Sequence, residues 1–284
     1  MKLINAFNKM LQMFVLTAVL IPSLTHAEDE LHAPFTSLLE KYVSPINPID
    51  APNGKTFDFK GTSTEVDYAG FKSSQEALKV YLKSLAGVSQ QTFDQWDKAS
   101  QLAFLINAYN AYTIDLILTR YPEISSIRDI GSFFSSPWKK EFAMLLGEKR
   151  SLDNIEHGLI REEGVYSEPR IHFAVNCASI GCPALREEAY LGSQLDEQLE
   201  QQTLRFLSDK SRNYAKENTL YVSKIFDWYT EDFAMQWRGS SSLSGFLAQY
   251  EDALSLSESH VKLLKEESSN IKFLDYNWAL NDKQ

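Results

Sequence analysis

Apolar residues crowd positions 97–120 so densely that almost no polar face is left: Leu102, Ala103, Ile106, Ala108, Tyr109, Ile114, Leu116, Ile117 and Leu118 fill most of the stretch. A helix apolar nearly all round belongs in an interior, so the pattern predicts a buried helix, ended by Pro122. Asn107 and Asn110 stand three apart on one stripe with Ala103, Ile114 and Ile117, which carries two carboxamides into the core. Each has two readings, an anchor for the backbone of a neighbouring element or a functional amide. Left unpaired in a core, each would cost about 1 to 3 kcal/mol.

Around this helix the pattern predicts shorter elements. Phe35, Leu38, Leu39 and Tyr42 give an amphipathic helix over 28–42, whereas Pro45, Pro48, Pro52, Gly54 and Gly61 make 44–64 an extended surface arm. Helical spacing resumes at Phe71, runs through Leu78, Tyr81, Leu82 and Leu85, and closes at Gly87. Residues 151–154 offer caps for a short helix over 155–162 that contains Glu156-His157-Gly158. Over 170–177, Ile171, Phe173, Val175 and Cys177 alternate with His172, Ala174 and Asn176. That period of two predicts a buried strand packed on the 97–120 helix. His172 and Asn176 would then open onto one pocket, lined also by Asn107 or Asn110, and Cys177 would face away. The turn at 178–181 and Pro183 leave Cys182 outside the strand. Beyond it come an amphipathic helix at 193–207, a strand at 219–223, an aromatic-rich helix from Phe226 to Trp237, helices at 243–254 and 260–266, and an extended aromatic stretch at 271–280 that should dock on the domain.

Composition narrows the class. Lys2 and Lys9, the apolar run 10–21 and the small-residue boundary at Ala27 have the form of a secretory signal over 1–27, which implies a bacterial periplasmic or secreted protein with no stable membrane insertion after cleavage. The remainder, divided into an N-terminal helix and arm at 28–70 and a main domain at 71–284, is near the roughly 250 to 300 residues at which single cores divide. The expected fold is therefore α+β, a mostly helical single domain built around a buried helix and a small β-sheet. A net charge of −10, made more acidic by loss of the signal, argues against nucleic acid as a partner. A small-molecule or peptide ligand fits better, and oligomeric state is left open. No glycine-rich phosphate loop or nucleophile-elbow motif appears, and the residues call for no cofactor.

Five blocks of residues carry a family resemblance: 103–111 (Ala-Phe-Leu-Ile-Asn-Ala-Tyr-Asn-Ala), Ile155-Glu156-His157-Gly158, 170–177 (Arg-Ile-His-Phe-Ala-Val-Asn-Cys), Cys182-Pro183 and Phe226-Asp227-Trp228-Tyr229. In that order they resemble the domain-of-unknown-function family DUF547, from about Phe71 to Asn281. Leu105 stands where the family often has tryptophan, and Ala178 where it often has glycine. The resemblance implies a shared fold and a polar cluster of Asn107, Asn110, His157, His172, Asn176, Cys177 and Cys182, not a reaction.

Three kinds of chemistry suit that cluster. Cys177 and Cys182 are the only cysteines and flank a turn, so a disulfide is one. A second is a thiol nucleophile, Cys182, with His172 or His157 as base and Asn107 or Asn176 as orienter or oxyanion donor, the Cys-His-Asn logic of papain-like and transglutaminase-like enzymes; Asn110, Asn176 and Cys177 would then contact the ligand. The third, a zinc site from both cysteines and both histidines, has looser spacing than usual, and no metal is assigned. The enzyme expectation is a thiol-dependent hydrolase or transferase acting on a peptide or small acyl compound. The alternative is a disulfide-stabilised binding or interaction module.

Overall fold

The computed structural model describes residues 25–47, 59–131 and 135–283. The expected signal lies outside these residues except for 25–27, and so do 48–58 of the proline-rich arm. The N-terminal amphipathic pattern resolves into α1 (Thr25–Leu31) and α2 (Ala33–Tyr42), because Pro34 enters the first turn of α2 and cannot continue a helix from before it. Phe35, Leu38, Leu39 and Tyr42 are all buried. The ends of the arm pair as an antiparallel ribbon, β1 (Val43–Ile46) with β2 (Ser63–Val66). Next come α3 (Tyr68–Ser73), α4 (Gln75–Ala86) and α5 (Gln90–Phe93).

The predicted central helix is α6 (Lys98–Leu118), started by Asp97, whose carboxylate accepts the backbone N–H of Ser100 at 2.8 Å. Nearly every residue of α6 is buried, polar ones included. Both asparagines act as backbone anchors. Asn107 exchanges two hydrogen bonds with the main chain of Tyr190, donating from Nδ2 at 2.7 Å and accepting at Oδ1 at 2.9 Å. Asn110 donates to the carbonyl of Ala174 at 2.9 Å and accepts the N–H of Asn176 at 2.8 Å.

The strand expected at 170–177 is not present. Pro169–Phe173 is a 3₁₀ helix, with Pro169 in its first turn and Glu168 accepting the Arg170 N–H. The alternation misleads because both of its faces are buried: Ile171, His172, Phe173, Ala174, Val175 and Asn176 are all enclosed. With no partner strand alongside, the Ala174 and Val175 N–H groups turn back to the Ile171 carbonyl, and the Asn110 amide takes the Ala174 carbonyl and the Asn176 N–H in place of a ladder. The small sheets lie elsewhere. β3 (Ala143–Leu145) and β4 (Glu148–Arg150) form a hairpin, and β5 (Tyr214–Lys216) and β6 (Thr219–Val222) form another, to whose β6 edge β7 (Asn270–Phe273) adds in parallel.

Between them run α7 (Leu195–Leu207), α8 (Ile225–Trp228) and α9 (Thr230–Phe233); the last two replace the single aromatic-rich helix expected from Phe226 to Trp237. The second half adds α10 (Leu243–Ala248), α11 (Glu251–Leu254) and α12 (Glu258–Lys265). The whole is a mixed α+β domain dominated by helices. Its apolar side chains fall into two clusters, one around α6 and one around Phe173, Phe206, Phe226, Phe233 and Phe246. Within Pro169–Phe173 the chain crosses from one to the other, since Ile171 packs in the first and Phe173 in the second. Among the described residues no helix is long and apolar enough to cross a membrane.

Candidate functional site

A cavity of about 280 Å³ opens along the seam between the two clusters. Tyr109 and Trp138 wall it on the α6 side, and Ile225, Trp228 and Tyr229 on the other. Tyr276 and Trp278, from the extended stretch after β7, complete the aromatic wall. Its polar lining comes from Ser136, Asp153, Glu156, His157, His172 and both cysteines.

Glu156 and His157 project from a single wide turn, a π-helix over Asn154–Ile160 packed against α6. Such turns recur at functional sites. The Glu156 carboxylate is buried and accepts the Tyr229 hydroxyl at 2.7 Å. Burial and the neighbouring Glu156 charge push the hydroxyls of Tyr229 and Tyr109 well above the usual phenol range, so both stay protonated. His157 is the more exposed imidazole. Its Nδ1 meets the Arg161 guanidinium, which can only donate, so Nδ1 accepts and its Nε2 faces Glu156 4.0 Å away.

Arg161 is already engaged. It forms a two-bond pair with Asp232, at 2.6 and 2.9 Å, while lying over the Tyr229 ring. Asp232 also accepts from Nε2 of His172 at 2.7 Å, and the His172 ring stacks on Tyr229 with centroids 3.9 Å apart. Burial lowers the His172 pKa despite the pull of Asp232, while His172 and Arg161 hold the Asp232 carboxyl far below the usual range against its own desolvation. The pair is therefore a neutral imidazole donating to a carboxylate.

Cys177 and Cys182 form a disulfide, with sulfurs 2.10 Å apart. This is the first of the three chemistries expected, and in this state neither sulfur is a thiolate, whether as nucleophile or as zinc ligand. The loop it closes is braced from within by Asn176, which donates to the Pro183 carbonyl at 2.7 Å and accepts the Ala178 N–H at 2.8 Å. Arg212 holds it from below through the Cys182 carbonyl at 2.7 Å. The chain after β7 lies along the other edge, where Asn277 and Ala279 accept the N–H groups of Gly181 and Ile180. Only glycine permits that approach, since a Cβ at Gly181 would lie 2.8 Å from the Tyr276 ring. At Ala178 the backbone turns left-handed, φ 58°, which explains the glycine expected there.

The expected site residues thus separate. His157, His172, Cys177 and Cys182 share the cavity; Asn107, Asn110 and Asn176 do not line it and act on its frame instead. Cys177, expected to face away, lines it because 170–177 is not a strand. The unanticipated residues of its lining are Glu156, Tyr229, Tyr276 and the tryptophans, while Arg161 and Asp232 bear on it from behind through His157 and His172. Glu156 and Tyr229 belong to blocks already noted beside His157 and Trp228, whereas Asp232 and Tyr276 have no local signal. Among the described residues no group of three or more His, Cys, Asp or Glu is arranged to hold a metal ion.

Comparison with known proteins adds one similarity. No curated protein and no solved structure matches the chain. The model of the family described as "Protein of unknown function, DUF547" matches residues 93–207. That span contains α6, the Glu156-His157 turn and both cysteines, so from the end of α5 to the end of α7 the chain is similar to the DUF547 family.

Proposed function

We propose that the seam cavity captures a small organic ligand, or one end of a peptide, that presents a protonated amine beside an apolar body. The observation that carries this reading is Glu156: a buried carboxylate group in an aromatic-walled cavity, while the guanidinium over the neighbouring Tyr229 ring, Arg161, is committed to Asp232. A carboxylate so placed is best matched by a cation supplied from outside, and the aromatic lining beside it, Trp138 and Trp228 included, suits an apolar body. The protein then acts as a disulfide-stabilised binding module. Export is part of the proposal, supported by the N-terminal pattern 1–27 and by a disulfide, which suits an oxidising compartment.

Calorimetric titration with benzylamine, benzyl alcohol and benzoate tests it. Benzylamine should bind, benzoate should not, and Glu156→Gln, which keeps the acceptor for Tyr229, should weaken benzylamine by about tenfold, the loss of one charge-assisted contact. Equal binding of benzoate and benzylamine would remove the reading. A second reading, thiol-dependent hydrolysis or acyl transfer, is favoured by the two sulfurs lining the same cavity as His157. It requires prior reduction, and a burst of acyl release from p-nitrophenyl acetate by the reduced protein but not the oxidised one would support it.

A further inference from the structure

We infer that the Cys177–Cys182 bond is a reactive group of the cavity, which exchanges with a small aminothiol: Cys177 is attacked and Cys182 leaves. The inference rests on the cavity being an amine site and adds what happens to the ligand's sulfur.

Three observations carry it. The disulfide is not packed away in the core; both cysteines line the cavity, facing the aromatic wall and Glu156. The two sulfurs are unequally placed, Cys177 being partly exposed and Cys182 only 4 % exposed. Donors also converge on Cys182: its Sγ accepts the Cys177 backbone N–H at 2.8 Å and the Tyr276 hydroxyl at 3.1 Å. The first donor is fixed by the turn. The second is held by Ser179 at 2.9 Å and stays protonated, since burial pushes the Tyr276 pKa up. The Tyr276 oxygen is also 3.0 Å and the Ser179 hydroxyl 3.4 Å from the Cys177 sulfur, but each carries a single proton, and with Ser179 donating to Tyr276 and Tyr276 to Cys182 the fixed backbone donor tips the balance toward Cys182. Hydrogen bonds to a sulfur that is becoming a thiolate make it the better leaving group, and exchange rates follow leaving-group stability and access.

The electrons balance with thiol as the only co-reactant. An aminothiol loses its proton to solvent, and its thiolate forms a bond to the Cys177 sulfur. The Cys177–Cys182 bond breaks, and its electron pair stays on Cys182. A second thiolate then attacks the ligand sulfur of this mixed disulfide and releases Cys177. Two thiols become one symmetrical disulfide, the protein disulfide gains two electrons, and two protons return to the cysteines. An ammonium group seated on Glu156 would hold the incoming sulfur within the same cavity.

Stopped-flow reduction of the oxidised full chain tests this, using cysteamine, 2-mercaptoethanol and 3-mercaptopropionate, each rate divided by that thiol's rate on a small dialkyl disulfide. Cysteamine should exceed 3-mercaptopropionate by about tenfold or more on this scale. Acid quenching, alkylation and peptide mass spectrometry should find cysteamine on Cys177 and the alkyl label on Cys182. Tyr276→Phe should slow the reaction by about tenfold. A bond that resists cysteamine in the folded protein yet yields in urea, or a mixed disulfide on Cys182, would overturn the inference. Benzylamine binding is measured separately: if it persists while exchange fails, only the exchange is lost, and if it is absent the amine site itself is lost.

Discussion

Asn107 and Tyr190 form a two-bond amide pair in which the side chain of one residue satisfies both backbone groups of the other. The pair fastens the segment ahead of α7 to the central helix. Asn107→Leu keeps the volume and strands a buried N–H and a buried C=O. Each stranded group costs about 1 to 3 kcal/mol, so a large fall in the urea midpoint is expected. Benzylamine affinity, measured where the variant is folded, should be unchanged. An unaltered midpoint would mean that the pair does not anchor the segment.

His32 should make the protein acid-sensitive. Its Nδ1 lies 2.7 Å from the Tyr81 hydroxyl, and burial holds the imidazole at about 3, far below its ordinary 6.5. Between those values the unfolded chain binds a proton that the native chain excludes. The contribution is therefore complete above about pH 6.5 and falls as pH drops toward 3, at most about 1.4 kcal/mol per unit. His172, lowered by its own burial, adds in the same direction. His32→Gln retains an acceptor for Tyr81 and should lose about 1 to 2 kcal/mol less than the parent between pH 7 and pH 5 in urea titrations. Equal losses would exclude His32 as the source.

Ala178→Gly should leave stability unchanged or raise it. Relief of the left-handed strain contributes about 1 kcal/mol, offset in part by the freer unfolded chain. Thermal melting gives the sign, and a clear drop in midpoint would show that the alanine methyl packs well enough to outweigh its backbone.

Asp232→Asn, which leaves an amide oxygen to accept from His172, should weaken amine capture. Arg161 then loses its carboxylate partner, and its charge becomes available to Glu156 across Tyr229. A fall in benzylamine affinity of about tenfold is expected in calorimetry. Affinity equal to that of the parent would show that Arg161 does not compete for Glu156.

The parts of this architecture that were legible in the sequence are those whose signal is local. The solid apolar run of α6, the amphipathic faces of α2 and α4, and two cysteines about a turn all declare themselves within a few residues. At 170–177 local pattern failed, because enclosure on every side produces the same alternation as a strand does when the intervening residues are His, Ala and Asn. Asp232 and Tyr276 were invisible for a different reason. Their roles depend on partners 60 and 94 or more residues away, a distance that no periodicity spans. His157 was found and Glu156 passed over, although they are adjacent, since a lone acid before a histidine reads as ordinary helix surface until its burial is known.

The spacing of the cavity's parts also sets an order of assembly. The two cysteines are separated by 5 positions, so their sulfurs meet by closing a short loop, whereas Tyr276 reaches them across 94 and 99. Short loops close fast and long-range contacts form late. A folding chain therefore passes through a stage in which the cysteines can be oxidised while the Cys182 sulfur still lacks its tyrosine donor and the aromatic wall is open. Maturation of the cleft is then a docking event at the far end of the chain, and protection of the 276–280 segment in pulsed hydrogen exchange should lag behind that of α6.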